Sequence, residues 1–264
     1  MIMHPPVPLG PLAGKVAIVT GSSRSIGASI AQRLAADGAD VIINYHKIAV
    51  DADRVANQIN NAAANGASPG GRAIVVKADV STIEGGQHLL DECIRQLGVP
   101  DILVLNAAVM GHTPLASTRE RDYDVHFNTN VKGPLFLVQA AAERMQPGGR
   151  IIFISTALTR ASGVLPMALL FAMTKGAIEQ MTRVLAKDLG SRGITVNCVA
   201  PGPVDTPVFR AGKSPLQMKY IASVTPQNRL ALPEDISPSV AFLVSQEAQW
   251  VNGQILGVNG GFAV

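Results

Sequence analysis

Residues 15–38, KVAIVTGSSRSIGASIAQRLAADG, decide the fold. The β-branched run at 16–19 reads as a buried strand, and the turn at 20–27 that follows it opens a helical pattern. At such a junction the free N–H groups and the dipole of the helix favour an anion. Gly21 permits the tight turn, and Gly27 lets the helix approach the strand. A strand, a glycine-bounded turn and a helix at the head of a βαβ unit mark a dinucleotide site.

Working outward, short apolar runs alternate with helical patterns to the end of the chain. VIINY, AIVVK, DILVLN, RIIFIS, ITVNCVA and QILGVN read as strands, with helices at about 50–65, 83–97, 120–145, 169–189 and 233–245. Seven near-continuously apolar strands separated by helices predict one doubly wound α/β domain, a seven-stranded parallel sheet of the Rossmann type with right-handed crossovers. The domain spans 12–264, after an extended N-terminal arm at 1–11. Residues 203–232, with weak periodicity and several prolines, read as a substrate loop.

With 47% apolar and 16% charged residues among 264, the chain has too much surface to bury for disorder. No apolar run reaches the roughly 18 residues of a spanning helix, and the Pro-rich start lacks the features of a signal peptide, so a cytoplasmic protein without a membrane partner is expected. Cys93 and Cys198 lack metal-ligand spacing and suit a reducing compartment; no metal site is expected. A net charge of +3, from scattered Lys and Arg, argues against nucleic acid.

The second strand decides the cofactor. An NAD site places Asp or Glu at its end, for the ribose 2′-hydroxyl, whereas this strand ends Asn44-Tyr45-His46-Lys47. Arg24, with Tyr45, His46 and Lys47 nearby, suits a 2′-phosphate, so NADP(H) is the expected cofactor.

Several motifs in order resemble the short-chain dehydrogenase/reductase family over nearly the whole chain from Leu12. TGSSRSIG is similar to its TGxxxGxG loop, Ala78-Asp79-Val80 to its adenine-contacting Asp, and Asn106-Ala107-Ala108 to its NAG motif. Asn130 in NVKG matches its active-site Asn, Lys175 the Lys of YxxxK, Pro201-Gly202 the PG that meets the nicotinamide, and LGVNGG its C-terminal ending. The resemblance implies cofactor contacts from Gly21, Ser23, Arg24, Ile26, Tyr45, Asp79, Val80, Asn106, Ala107, Lys175, Pro201, Gly202 and Val204. It also implies a homotetramer built on the two long helices, with the C-terminus close to an interface.

Three departures matter. Ser25 replaces the middle glycine of the loop, which is tolerable where the backbone avoids positive φ. The family's catalytic Ser falls on Thr156 or, with a shift of one residue, on Ala157. Four residues before Lys175 the family has the Tyr that protonates the carbonyl oxygen, and this chain has Phe171. The altered catalytic group is then Asn130, Thr156, Phe171 and Lys175.

Four readings follow from the missing phenol. The chain is a ketoreductase whose Tyr has been replaced deliberately, or a natural reductase of an iminium ion that needs no proton. Otherwise it is a non-redox cyclase or isomerase that keeps NADP(H) in its pocket, or a binding protein that senses NADP(H). Candidate relay donors are Thr156, Ser155, Thr159 and Lys175 with a pKa lowered by burial. Arg160 and His112 follow strand ends and are candidate substrate contacts, though a solvated loop position suits each better. The apolar stretch at 164–170 points to a hydrophobic polycyclic or alkaloid-like small molecule from secondary metabolism.

Overall fold

The computed structural model describes residues 10–66 and 70–264. Most of the expected N-terminal arm lies outside the described residues; at its end the Leu12 N–H donates to the Asp37 carbonyl at 2.8 Å. In chain order the elements are β1 (Val16–Val19), α1 (Ser25–Ala36), β2 (Asp40–Tyr45), α2 (Ala49–Ala64), β3 (Ala73–Lys77), α3 (Ile83–Gln96) and β4 (Ile102–Leu105). They continue with α4 (Glu120–Phe127), α5 (Gly133–Arg144), β5 (Arg150–Ile154), α6 (Leu169–Asp188), β6 (Thr195–Pro201), α7 (Pro207–Arg210), α8 (Pro215–Ser223), α9 (Pro233–Val244) and β7 (Ile255–Val258). The strands form one seven-stranded parallel sheet in the order β3-β2-β1-β4-β5-β6-β7. It is a single Rossmann-type domain.

The strands are apolar throughout because both faces of the sheet are covered. Ala17 and Val19 of β1 pack on one side with Ile30 and Leu34 of α1, Val55 of α2 and Val240 of α9. Val16 and Ile18 point the other way, to Leu89 of α3, Leu137 of α5 and Ile178 of α6. This alternation with period two, buried on both sides, is what a parallel sheet between two helical layers requires.

The single helix expected at 120–145 is α4 and α5 joined by one π-helical turn, Asn128–Lys132. The stretch at 203–232 is more ordered than its weak periodicity predicts, since it carries α7 and α8. Both open on a proline at the first turn, and their N-caps are the hydroxyls of Thr206 and Ser214, which accept from the N–H groups of Phe209 and Gln217. Helices this short leave little periodicity to read; their caps are the signal.

Ser25 departs from expectation: its φ is +54°, in the left-handed region. The chain must turn from β1 into α1 within a few residues while Asn44 holds Gly21 and Ser22 in place, and the strain falls on this residue. Ser25→Gly should therefore raise stability by up to about 1 kcal/mol, a rise of about 2–4 °C in a thermal melt; a lower melting temperature would contradict the strain.

Candidate active site

At the carboxyl ends of the central strands, a small set of buried polar groups fixes the backbone. The Thr20 hydroxyl accepts from the N–H groups of Asn106 and Ala107, both at 2.9 Å. The Asn106 amide donates back to the carbonyls of Thr20 (2.9 Å) and Gly21 (3.1 Å). Asn44, 2% exposed, takes the Gly21 N–H on its side-chain oxygen at 3.0 Å, and its amide donates to the Ala78 carbonyl at 3.2 Å. The ends of β1, β2, β3 and β4 are thereby held as one rigid edge.

Over that edge lies a cleft of about 680 Å³. Gly21, Ser23, Arg24, Ile26, Tyr45 and Asp79 line it, and Val80, Asn106 and Ala107 join them. No side chain caps the start of α1, so its first N–H groups are left for an anion. Arg24 and Lys47 stand exposed at the rim, and neither is paired with a carboxylate among the described residues. Burial pushes the Asp79 carboxyl up, but two hydrogen bonds from Ser81, with His46 and Lys47 nearby, outweigh it and Asp79 titrates below its usual value. An uncapped helix start, two unpaired cations and an ionised acceptor form a donor set that fits a dinucleotide carrying an extra phosphate.

A smaller cavity of about 200 Å³ continues from the cleft past Phe171 and Met110. Its walls include Leu158, Val204, Val208, Phe209 and Phe262, with Thr156, Lys175, Pro201 and Gly202 among the remaining lining residues. Lys175 is 4% exposed; its ammonium donates to the Ile154 carbonyl at 2.6 Å and lies 5.5 Å from the centre of the Phe171 ring. Burial lowers its pKa to about 8. The Thr156 hydroxyl accepts from the Leu158 N–H at 3.4 Å. Ser155 also lines the cavity, but its hydroxyl donates to the buried carboxylate of Glu179 at 2.7 Å, and Thr159 donates to the same oxygen at 2.7 Å. Asn130 lines neither cavity. Its side chain clamps both backbone groups of Val109 at 2.9 Å and donates to the Thr174 hydroxyl at 3.0 Å, bracing the wall from behind.

A short-chain dehydrogenase model described as Enoyl-(Acyl carrier protein) reductase matches residues 21–263. The chain belongs to the short-chain dehydrogenase/reductase family. Within the family it is 42% identical to an NADPH-dependent aldehyde reductase-like protein, chloroplastic, of Arabidopsis thaliana, over 99% of this chain and 97% of that protein. It is 38% identical to a hydroxynaphthalene reductase-like protein of Metarhizium brunneum, over 95% of each chain. Among solved structures, an angucycline C-6 ketoreductase with bound NADP superposes with a TM-score of 0.87 at 36% identity, covering 96% of this chain and 97% of the other.

The family motifs fall at the strand ends, and the structure brings the expected cofactor residues to the two cavities. Thr156 and Ala157 both line the smaller one, but only Thr156 brings a hydroxyl. His112 and Arg160 line neither. His126 accepts from the Gly111 N–H at 2.9 Å and is a satisfied structural residue. Gly202 must be glycine because a Cβ would stand 2.9 Å from the Cα of Asn259, which ties the C-terminal VNGG to the cavity wall. The clearest omissions from the sequence reading are Thr20 and Asn44. A polar residue inside or beside an apolar strand was their signal.

The lowered Lys175 pKa carries a consequence for stability. The folded protein releases this proton before the unfolded chain does, so the cost of burying the charge is full below about pH 8 and fades as pH approaches the usual 10.5. Between pH 7 and pH 10 the protein should gain about 2–3 kcal/mol relative to Lys175→Met in chemical denaturation; a pH-independent difference would contradict a buried, titrating amine.

Proposed function

We propose that this protein is an NADPH-dependent carbonyl reductase acting on an apolar, ring-bearing ketone. The observation that carries the reading is the smaller cavity: apolar walls, an open side toward the dinucleotide cleft, and Lys175 as the one titratable side chain among the described residues that line it. Hydride addition to a carbonyl builds negative charge on oxygen, which a buried ammonium stabilises. An iminium ion would instead meet Lys175 as a like charge, with no carboxylate among the lining residues to offset it. The cyclase and sensing alternatives gain no support from a donor set already suited to a reductase.

NADPH, once bound, supplies the hydride. The uncapped start of α1 would take its pyrophosphate, Arg24 and Lys47 the 2′-phosphate and Asp79 the adenine end. Support for NADPH over NADH also comes from the names of two relatives, one NADPH-dependent and one with bound NADP. Two relatives named for hydroxynaphthalene and angucycline chemistry point the same way as the three phenylalanines, Phe171, Phe209 and Phe262, in the cavity wall. The substrate loop at 203–232 supplies Thr206, Val208 and Phe209 to that wall. Phe171 occupies the place of the family's Tyr, so no phenol delivers a proton.

The same reading includes a homotetramer. Tyr123, Val125 and Leu135 on α4 and α5, and Val184 on α6, are exposed apolar groups. Trp250, 96% exposed near the C-terminal strand, offers a second such face. No helix among the described residues is long and apolar enough to cross a membrane.

Arg24→Ala should weaken NADPH binding by about 10- to 100-fold, the worth of a charged hydrogen bond, and leave NADH nearly unchanged. Fluorescence titration with each cofactor measures both; equal losses would remove the 2′-phosphate assignment.

A further inference from the structure

We propose that the Lys175 ammonium is itself the proton donor to the carbonyl oxygen in this chain, replacing the phenol that Phe171 lacks. The inference rests on the carbonyl-reductase reading and deepens it. The donors around the smaller cavity can be counted out one by one. The Ser155 hydroxyl is committed to Glu179, and both amide hydrogens of Asn106 are committed to the carbonyls of Thr20 and Gly21. The oxygens of Thr156 and Thr206 accept from the backbone N–H groups of Leu158 and Phe209. Their hydroxyls can steady a substrate oxygen, but an alcohol has no proton to release at neutral pH. Lys175 remains. One of its three N–H bonds is spent on the Ile154 carbonyl, which fixes the nitrogen at the end of β5 and leaves two to be shared between the bound cofactor and the substrate oxygen.

The surroundings adjust this amine to the task. Cys198, on β6, is pushed up to about 12 by burial and stays a neutral thiol. Glu179, one turn further along α6, has one carboxylate oxygen, Oε1, occupied by Ser155 and Thr159. The facing wall is the uncharged Phe171 ring. An acid near pH 8 is far better matched to proton transfer at neutral pH than an ordinary lysine.

The step balances. As the carbonyl carbon accepts hydride, the C=O π pair moves onto oxygen, and that oxygen takes H⁺ from Nζ. The product is the alcohol; Lys175 is left as a neutral amine and recovers its proton from water.

The test uses the intact protein with NADPH and a panel of bicyclic ketones, 1-tetralone and 2-tetralone included, beside NMR of ¹³C-labelled lysine in the protein without cofactor. The Lys175 signal, assigned by its loss in Lys175→Arg, should titrate near pH 8; titration above 10 overturns the proposal. Lys175→Arg keeps the charge but yields no proton, so kcat should fall by about 10²- to 10⁴-fold, and wild-type kcat should decline above about pH 8. Adding Phe171→Tyr to Lys175→Arg should restore turnover. An undiminished kcat in Lys175→Arg, or a flat wild-type profile across pH 8, overturns the proposal. Turnover in Phe171→Tyr with none in the wild type overturns it too, while leaving the carbonyl-reductase reading intact. No turnover by either, with NADPH demonstrably bound, overturns that reading and the proposal with it.

Discussion

The structure depends on the parting of the chain between β1 and β4. These strands are neighbours in the sheet, yet the chain leaves β1 toward β2 and β3 on one side and leaves β4 toward β5, β6 and β7 on the other. At such a reversal the connecting loops diverge and leave a crevice beyond the carboxyl ends of the strands. Its backbone would carry unpaired polar groups into a dry interior without partners. Thr20, Asn44 and Asn106 supply them, and the edge becomes a rigid platform.

Everything functional is arranged about that platform. The start of α1 meets the crevice without a capping side chain, so its donors stay available. On the other side, Asn130 in the π turn holds the segment after β4, and through Thr174, whose hydroxyl donates to the Phe171 carbonyl, it is coupled to the first turns of α6. The π turn widens the helix where an ordinary α turn would present a different side chain. The cation at Lys175 is buried, where charge is costly and has a large effect on a reacting oxygen.

The sheet and its covering helices were legible because burial on both faces leaves apolar strands separated by amphipathic helices. The close backbone approaches at the strand ends were legible for a related reason: Gly21, Gly27 and Gly202 reveal them in a one-letter sequence. What stayed hidden depends on three dimensions. The strain at Ser25 follows from the path of the turn, and the sequence shows only a residue that is not glycine. Thr20 and Asn44 become important once their carbonyl and N–H neighbours are known. Helices α7 and α8 are held by local caps, α7 also by its place in the cavity wall, and periodicity has too few turns to register them. The part Phe171 plays depends on which proton donors lie around it, and only the packing of Ser155, Asn106 and Lys175 decides that.

The central claim is that this cavity reduces a carbonyl. Its most direct test is the mass of the product formed from a bicyclic ketone with NADPH, followed alongside NADPH consumption. The account predicts a gain of two hydrogens, with one NADPH oxidised for each product molecule. A product of unchanged mass, formed without NADPH oxidation, would contradict it.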